Sequence, residues 1–75
     1  MERLPRITAV EAIKALKRAG FFLTRQSGSH KIFKNRDGKR VTVPFHRGKN
    51  IHFKVLNCIL RDADLSVKKF KELLK

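Results

Sequence analysis

The chain has 75 residues and a mass of 8.7 kDa, with 19 lysines and arginines against 6 aspartates and glutamates, a net charge of +13 and a pI near 11.1. One small domain over residues 1–75 accounts for that length, and the ~60 to 65% of surface buried by so short a chain leaves no room for both a core and a deep cofactor cavity. No apolar run nears the ~18 to 20 residues that span a bilayer, MERLPRITAV lacks a secretory apolar stretch, and the lone Cys58 makes neither an internal disulfide nor a cysteine-based zinc site. A cytoplasmic protein without a cofactor is expected. At 41% hydrophobic residues the chain folds, so its positive charge sits on a structured surface. Six carboxylates cannot pair nineteen cations, and a folded cation of this strength is most often a polyanion binder, nucleic acid ahead of anionic membrane.

Met1 to Ile7 holds Pro5 and no period, which predicts a lead-in. Thr8-Ala9-Val10-Glu11 fits a capping box, in which the Thr hydroxyl accepts from the third backbone N–H and the Glu carboxylate reaches back to the cap. A helix is predicted from there to Ala19 or Gly20. At ~100° per residue Ala9, Ala12, Ile13, Leu16 and Ala19 share one face, and Glu11, Lys14 and Arg18 the opposite one. Lys17 and Arg18 suit the negative end of the helix dipole, and Gly20 suits a left-handed cap.

From Phe21 the chain becomes aromatic and β-branched between turn formers, which predicts three strands: Phe21 to Gln26, His30 to Asn35 and Lys39 to Pro44. Ser27-Gly28-Ser29 joins the first two. Asp37-Gly38 is a hairpin signal, because both residue types tolerate the positive φ of tight turns, so the second and third strands pair antiparallel. Val41 and Val43 alternate with Arg40 and Thr42, giving the sheet a covered face and a wet face. Either Ile32 or Phe33 points inward; Phe33 inward is the preferred reading and leaves His30 on the wet face.

Phe45 to Asn50 is a basic loop carrying His46, Arg47, Gly48 and Lys49. A second helix is predicted over about Ile51 to Asp62, with Ile51, Val55, Leu56 and Ile59 as the apolar face and Lys54, Asn57 and Arg61 as a polar stripe. A short terminal helix starts near Ser66, with Val67, Phe70, Leu73 and Leu74 inward and Lys68, Lys69 and Lys71 outside. The order α-β-β-β-α, with the short C-terminal helix added, implies an α+β two-layer sandwich: a three-stranded antiparallel sheet with helices on one face. Double-stranded-RNA-binding domains share this order, and order alone does not settle function.

Gly28-Ser29-His30 lies where a turn enters the second strand, so His30 is expected at an accessible strand end. An imidazole is the side chain best suited to exchange protons near neutral pH. With RNA, the substrate's own 2′-hydroxyl serves as nucleophile, and the protein has to supply a proton acceptor or donor and cations that stabilise the phosphorane-like charge. Lys31, Lys34, Arg40, Arg47 and Lys49 lie in segments that this layout brings near His30. On the residues alone, an ordinary polar role at a strand end is the commoner fate of such a histidine.

Gly20-Phe21, Arg25-Gln26 leading into Gly28-Ser29-His30, Phe33, Asp37-Gly38, Val41 to Pro44 and His46 together resemble, in order and spacing, the HicA family of toxin mRNA interferases from bacterial and archaeal toxin–antitoxin pairs. The resemblance spans roughly Glu11 to Phe70 and includes Ile59-Leu60 and Leu65-Ser66. It implies a double-stranded-RNA-binding-domain-like fold, metal-independent cleavage of mRNA with relaxed sequence preference, and neutralisation by a HicB-type antitoxin. It also implies that His30, the histidine of the Gly-Ser-His motif, is catalytic. Ser29 and His46, with the cations Lys31, Lys34, Arg40, Arg47 and Lys49, make up the expected RNA-binding set around it. His46 matches a second family histidine, for which substrate contact and structural hydrogen bonding weigh equally. His52 has no counterpart there and reads as a helix-start surface residue. The second proton-transfer group is open among His46, a lysine, Ser29 and water. Ile51-His52-Phe53-Lys54 is bulkier than the small or kinked start of the family's second helix, and Lys68-Lys69 stands where acidic residues are common.

Other readings carry less weight. A metal site from His30, His46 and His52 lacks cysteines or carboxylates at ligand spacing, so none is expected. Cys58, at the margin of the second helix's apolar face, is expected to be a small core residue. Phe33, Phe53 and Phe70 are expected to fill the core, with Phe45 beside the basic loop as the candidate for base stacking. A membrane-surface role lacks a single amphipathic insertion face. The alternative function is a non-catalytic basic RNA-binding module of the same fold, which would bind RNA without strand scission. An antitoxin facing this surface is expected to present carboxylates or to occlude His30, in a fast and salt-sensitive encounter.

Overall fold

A computed structural model describes residues 3–75; Met1 and Glu2, the start of the expected lead-in, lie outside the described residues. Residues 3–7 form no helix or strand but are anchored, since Ile7 is buried, its carbonyl accepts from the Ile51 N–H at 2.8 Å, and Thr8 bridges Asn50. Helix α1 (Ala9–Arg18) starts on the full capping box: the Glu11 N–H donates to Thr8 Oγ1 at 3.3 Å and the Thr8 N–H to Glu11 Oε1 at 3.0 Å. Ala19 is its C-cap.

Strands β1 (Phe22–Ser27), β2 (His30–Lys34) and β3 (Arg40–Pro44) form one antiparallel sheet in the order β1-β2-β3. The first hairpin is tight. Ser27 stands opposite His30 with only Gly28 and Ser29 between, and Gly28 takes φ +58 at the first central position, the geometry that a two-residue turn matched to sheet twist demands. The second hairpin is wider than Asp37-Gly38 alone suggests. Asn35 Oδ1 accepts from the N–H groups of Asp37 (3.1 Å) and Lys39 (2.9 Å), its carbonyl accepts from Gly38, and Gly38 adopts φ +84.

Helix α2 (Phe53–Ala63) begins two residues later than the apolar pattern predicts, because His52 is its N-cap: Nδ1 accepts from the Lys54 N–H at 3.1 Å. Helix α3 (Val67–Leu74) starts on Ser66, whose Oγ accepts from the Lys69 N–H at 3.0 Å. One core lies between sheet and helices, made by Ala9 and Leu16 of α1, Phe33, Val41 and Val43 of the sheet, and Ile59 and Ala63 of α2. A second lies among the helices, where Ala12, Ala15, Leu56 and Leu60 meet Phe70 of α3. The architecture is the expected α+β sandwich, with α3 packed on α1 rather than on the sheet. That contact buries Ala15, which lies outside the predicted stripe of α1. Arg18 ties the ends together, its Nη1 donating to the carbonyl oxygens of Leu73 and Lys75.

Two expected core residues are on the surface instead. Cys58 is exposed, its Sγ 3.6 Å from Arg61 Nη2, because the buried arc of α2 runs through Leu56, Ile59, Leu60 and Ala63 and not through the arc that starts at Ile51. Phe53 is 57% exposed. It is the first residue of α2, and helical side chains tilt toward the N-terminus, so its ring projects past the helix end while Ile51, just before the helix, packs against both cores. Phe33 and Phe70 are buried as expected, at 1% and 0% exposure.

Candidate functional site

His30 is the first residue of the central strand and is flanked on both sides, by Ser27 of β1 and Pro44 of β3. Alternation outward from buried Phe33 puts Ile32 and His30 on the face away from the helices, and Lys31 on the helix side. Backbone contacts hold the turn that delivers His30. The Ser29 carbonyl accepts from the Phe45 N–H at 2.6 Å, which clamps the turn to the end of β3, and Gln26 Nε2 donates to the Gly28 carbonyl at 3.4 Å. Ser29 is half-buried and His30 exposed. Among the described residues none hydrogen-bonds the imidazole of His30 or of His46, so the structural bond considered for His46 has no partner there.

The expected cations divide into two groups. Lys34 and Arg40 are register partners of each other at the far end of the sheet, four residues along β2 from His30, which at ~3.3 Å per residue is about 13 Å. They do not surround His30; they extend its face. A bulge in β1 between Leu23 and Arg25 shifts the alternation there, so that Arg25 pairs with Ile32 and joins the same face. Thr24, Arg25, Ile32, Lys34 and Arg40 line a depression of about 290 Å³ on it. Arg25 was not among the expected binding residues. No local pattern reveals it, because its side is set by the bulge.

On the helix side, Lys31 Nζ stands 4.1 Å from the centroid of the Phe45 ring, a cation–π contact. Phe45 is half-buried against the sheet–helix core. The phenylalanine expected to be open to a base is thus covered by Lys31, and Phe53, expected inside, is exposed. After His46 the chain turns through Arg47 and Gly48, closed by the Lys49 N–H on the His46 carbonyl at 3.2 Å. His46 and Lys49 then share a cleft of about 260 Å³ with Pro44, Asn50, Ile51, His52 and Val55. Arg47 is exposed in the turn. Asn50 and His52 enter the cleft without having been singled out as binding residues, because the Ile7–Ile51 and Thr8–Asn50 pairings place this segment beside the lead-in. Among the described residues no three His, Cys, Asp or Glu side chains converge as a metal site would require.

The family model for the HicA toxin of bacterial toxin–antitoxin systems matches residues 9–65 of the 75. The chain belongs to the HicA toxin family. The match takes in α1, the whole sheet with the His30 turn, the cleft and α2, and it stops before α3. Membership makes this HicA-family chain the toxin side of a toxin–antitoxin pair, with an antitoxin as its partner. Comparison with curated proteins finds no match. Among the described residues no helix is long and apolar enough to cross a membrane.

Proposed function

We propose that this HicA-family chain is a metal-independent endoribonuclease of the cytoplasm, that it cleaves mRNA with His30 as a proton-transfer residue, and that a HicB-type protein is its antitoxin. The observation that carries this reading is His30 in its setting: an exposed imidazole with no bonded partner among the described residues, on a clamped turn, within the Gly28-Ser29-His30 sequence of a chain that matches the family. In the reaction the substrate's 2′-oxygen attacks phosphorus as its proton leaves, and the P–O5′ bond breaks as a proton arrives at the 5′-oxygen. The products are a 2′,3′-cyclic phosphate and a 5′-hydroxyl. His30 serves one of these transfers, and His46, a lysine, Ser29 or water serves the other. Lys31, Arg47 and Lys49 supply positive charge around the turn and loop, and Lys34, Arg40 and Arg25 hold backbone phosphates along the sheet.

The test is cleavage of a labelled single-stranded RNA in excess chelator. The wild-type chain is expected to cut, and His30→Ala to lose roughly 10²- to 10⁴-fold in rate with an unchanged far-ultraviolet circular dichroism spectrum. Equal cleavage by the variant would sink the assignment. The charge of +13 also favours a second reading, a non-catalytic RNA-binding module, which predicts salt-sensitive binding without scission and without growth arrest on expression.

A further inference from the structure

Phe53 exposes 57% of its surface, more than the other exposed large hydrophobics Val10, Phe22 and Leu23. Its ring is not isolated: the His52 imidazole stacks on it at a centroid distance of 4.6 Å and an interplanar angle of 26°. His52 is held in turn, because Nδ1 accepts the Lys54 N–H and caps α2, an arrangement that assigns the ring proton to Nε2. The two rings together form an aromatic ridge at the start of α2.

Two depressions meet at that ridge. One is the cleft of about 260 Å³ that His52 lines together with Lys49, His46 and Pro44. The other, about 450 Å³, is bounded by Phe53 itself and carries Arg6 on its rim. Among the described residues no carboxylate lines either one. Proteins that hold single-stranded nucleic acid combine these two features, an aromatic face on which a base stacks and cations that take the phosphates on either side. An acidic protein surface would also meet the cations, but it would leave the near-parallel ring stack without a role, whereas a base continues the stack.

We propose that the His52–Phe53 pair is a stacking platform for one nucleobase of single-stranded RNA, with Lys49 and Arg6 on the flanking phosphates. This rests on the ribonuclease reading above. The experiment uses the full chain carrying His30→Ala, so that RNA is bound and not cut, and a short single-stranded RNA with 2-aminopurine at successive positions. One position is expected to lose fluorescence on binding. Adding Phe53→Ala should abolish that quenching and weaken binding roughly 5- to 150-fold, the range for removing one stacked base, while Phe53→Trp restores both. Thermal melting by circular dichroism should be unchanged by Phe53→Ala, since the ring lies outside both cores. Unchanged affinity and quenching in Phe53→Ala overturn the platform while leaving the ribonuclease reading in place. Loss of antitoxin binding with RNA affinity intact overturns it in favour of a protein contact. Failure of the His30→Ala parent to bind any RNA fails the ribonuclease reading itself, and the platform with it.

Discussion

His30 owes its exposure to its neighbours. Phe33, three residues on, is driven into the core, and strict alternation then turns Ile32 and His30 to the opposite face. Cys58 shows the same logic on a helix, where one side chain's fate is settled by which arc its neighbours bury. Because it is exposed, Cys58 is expected to react with iodoacetamide in the native chain about as fast as in denaturant, and Cys58→Ser to change stability by no more than ~0.5 kcal/mol. Labelling followed by mass spectrometry checks the first and urea titration the second. A thiol that reacts only on unfolding would return Cys58 to the core.

The two-residue turn between β1 and β2 is the element on which the site depends. A methyl group at Gly28 would meet nothing within 4 Å, so the cost of Gly28→Ala is the backbone cost of φ +58 alone, about 1–2 kcal/mol. Urea denaturation should show that loss. Cleavage by the fraction that remains folded should fall further, because a relaxed turn no longer holds His30 between Ser27 and Pro44. Wild-type activity per folded molecule would show that the turn has no positioning role. The bulge in β1 works at the same scale. It carries Arg25 to the face of His30 and breaks the regularity of an edge strand that is exposed along its whole length.

Over the whole molecule, two cores share the same pair of helices, and Phe70 links the second to α3. Phe70→Ala is expected to cost ~3–5 kcal/mol, much of the stability of so small a domain, and to unfold the chain as a unit by calorimetry. Separate melting of α3 with the sheet intact would contradict this. The net charge of +13 belongs to this scale as well. For about six phosphate contacts, log K for single-stranded RNA should fall against log salt with a slope near −4, measured by fluorescence anisotropy of the His30→Ala chain. A flat line would remove charge as the source of RNA affinity.

The features that could be read directly from the residues are those made by contacts within a few positions. Thr8 and Glu11 start α1 because three residues separate a cap from its reciprocal acceptor. Gly28 and Gly38 shape the two hairpins by taking positive φ, and the motif that ends in His30 spans the first of those turns and the opening residue of β2. The rotation of α2's buried arc, the partial burial of Phe45 against the exposure of Phe53, and the arrival of Arg25 beside Ile32 and of Arg40 beside Lys34 all depend on contacts between elements. Each of them follows from how strands register and how α3 and the lead-in pack. A local period specifies which residues share a face of their own element, and only packing between elements sets which face meets the core.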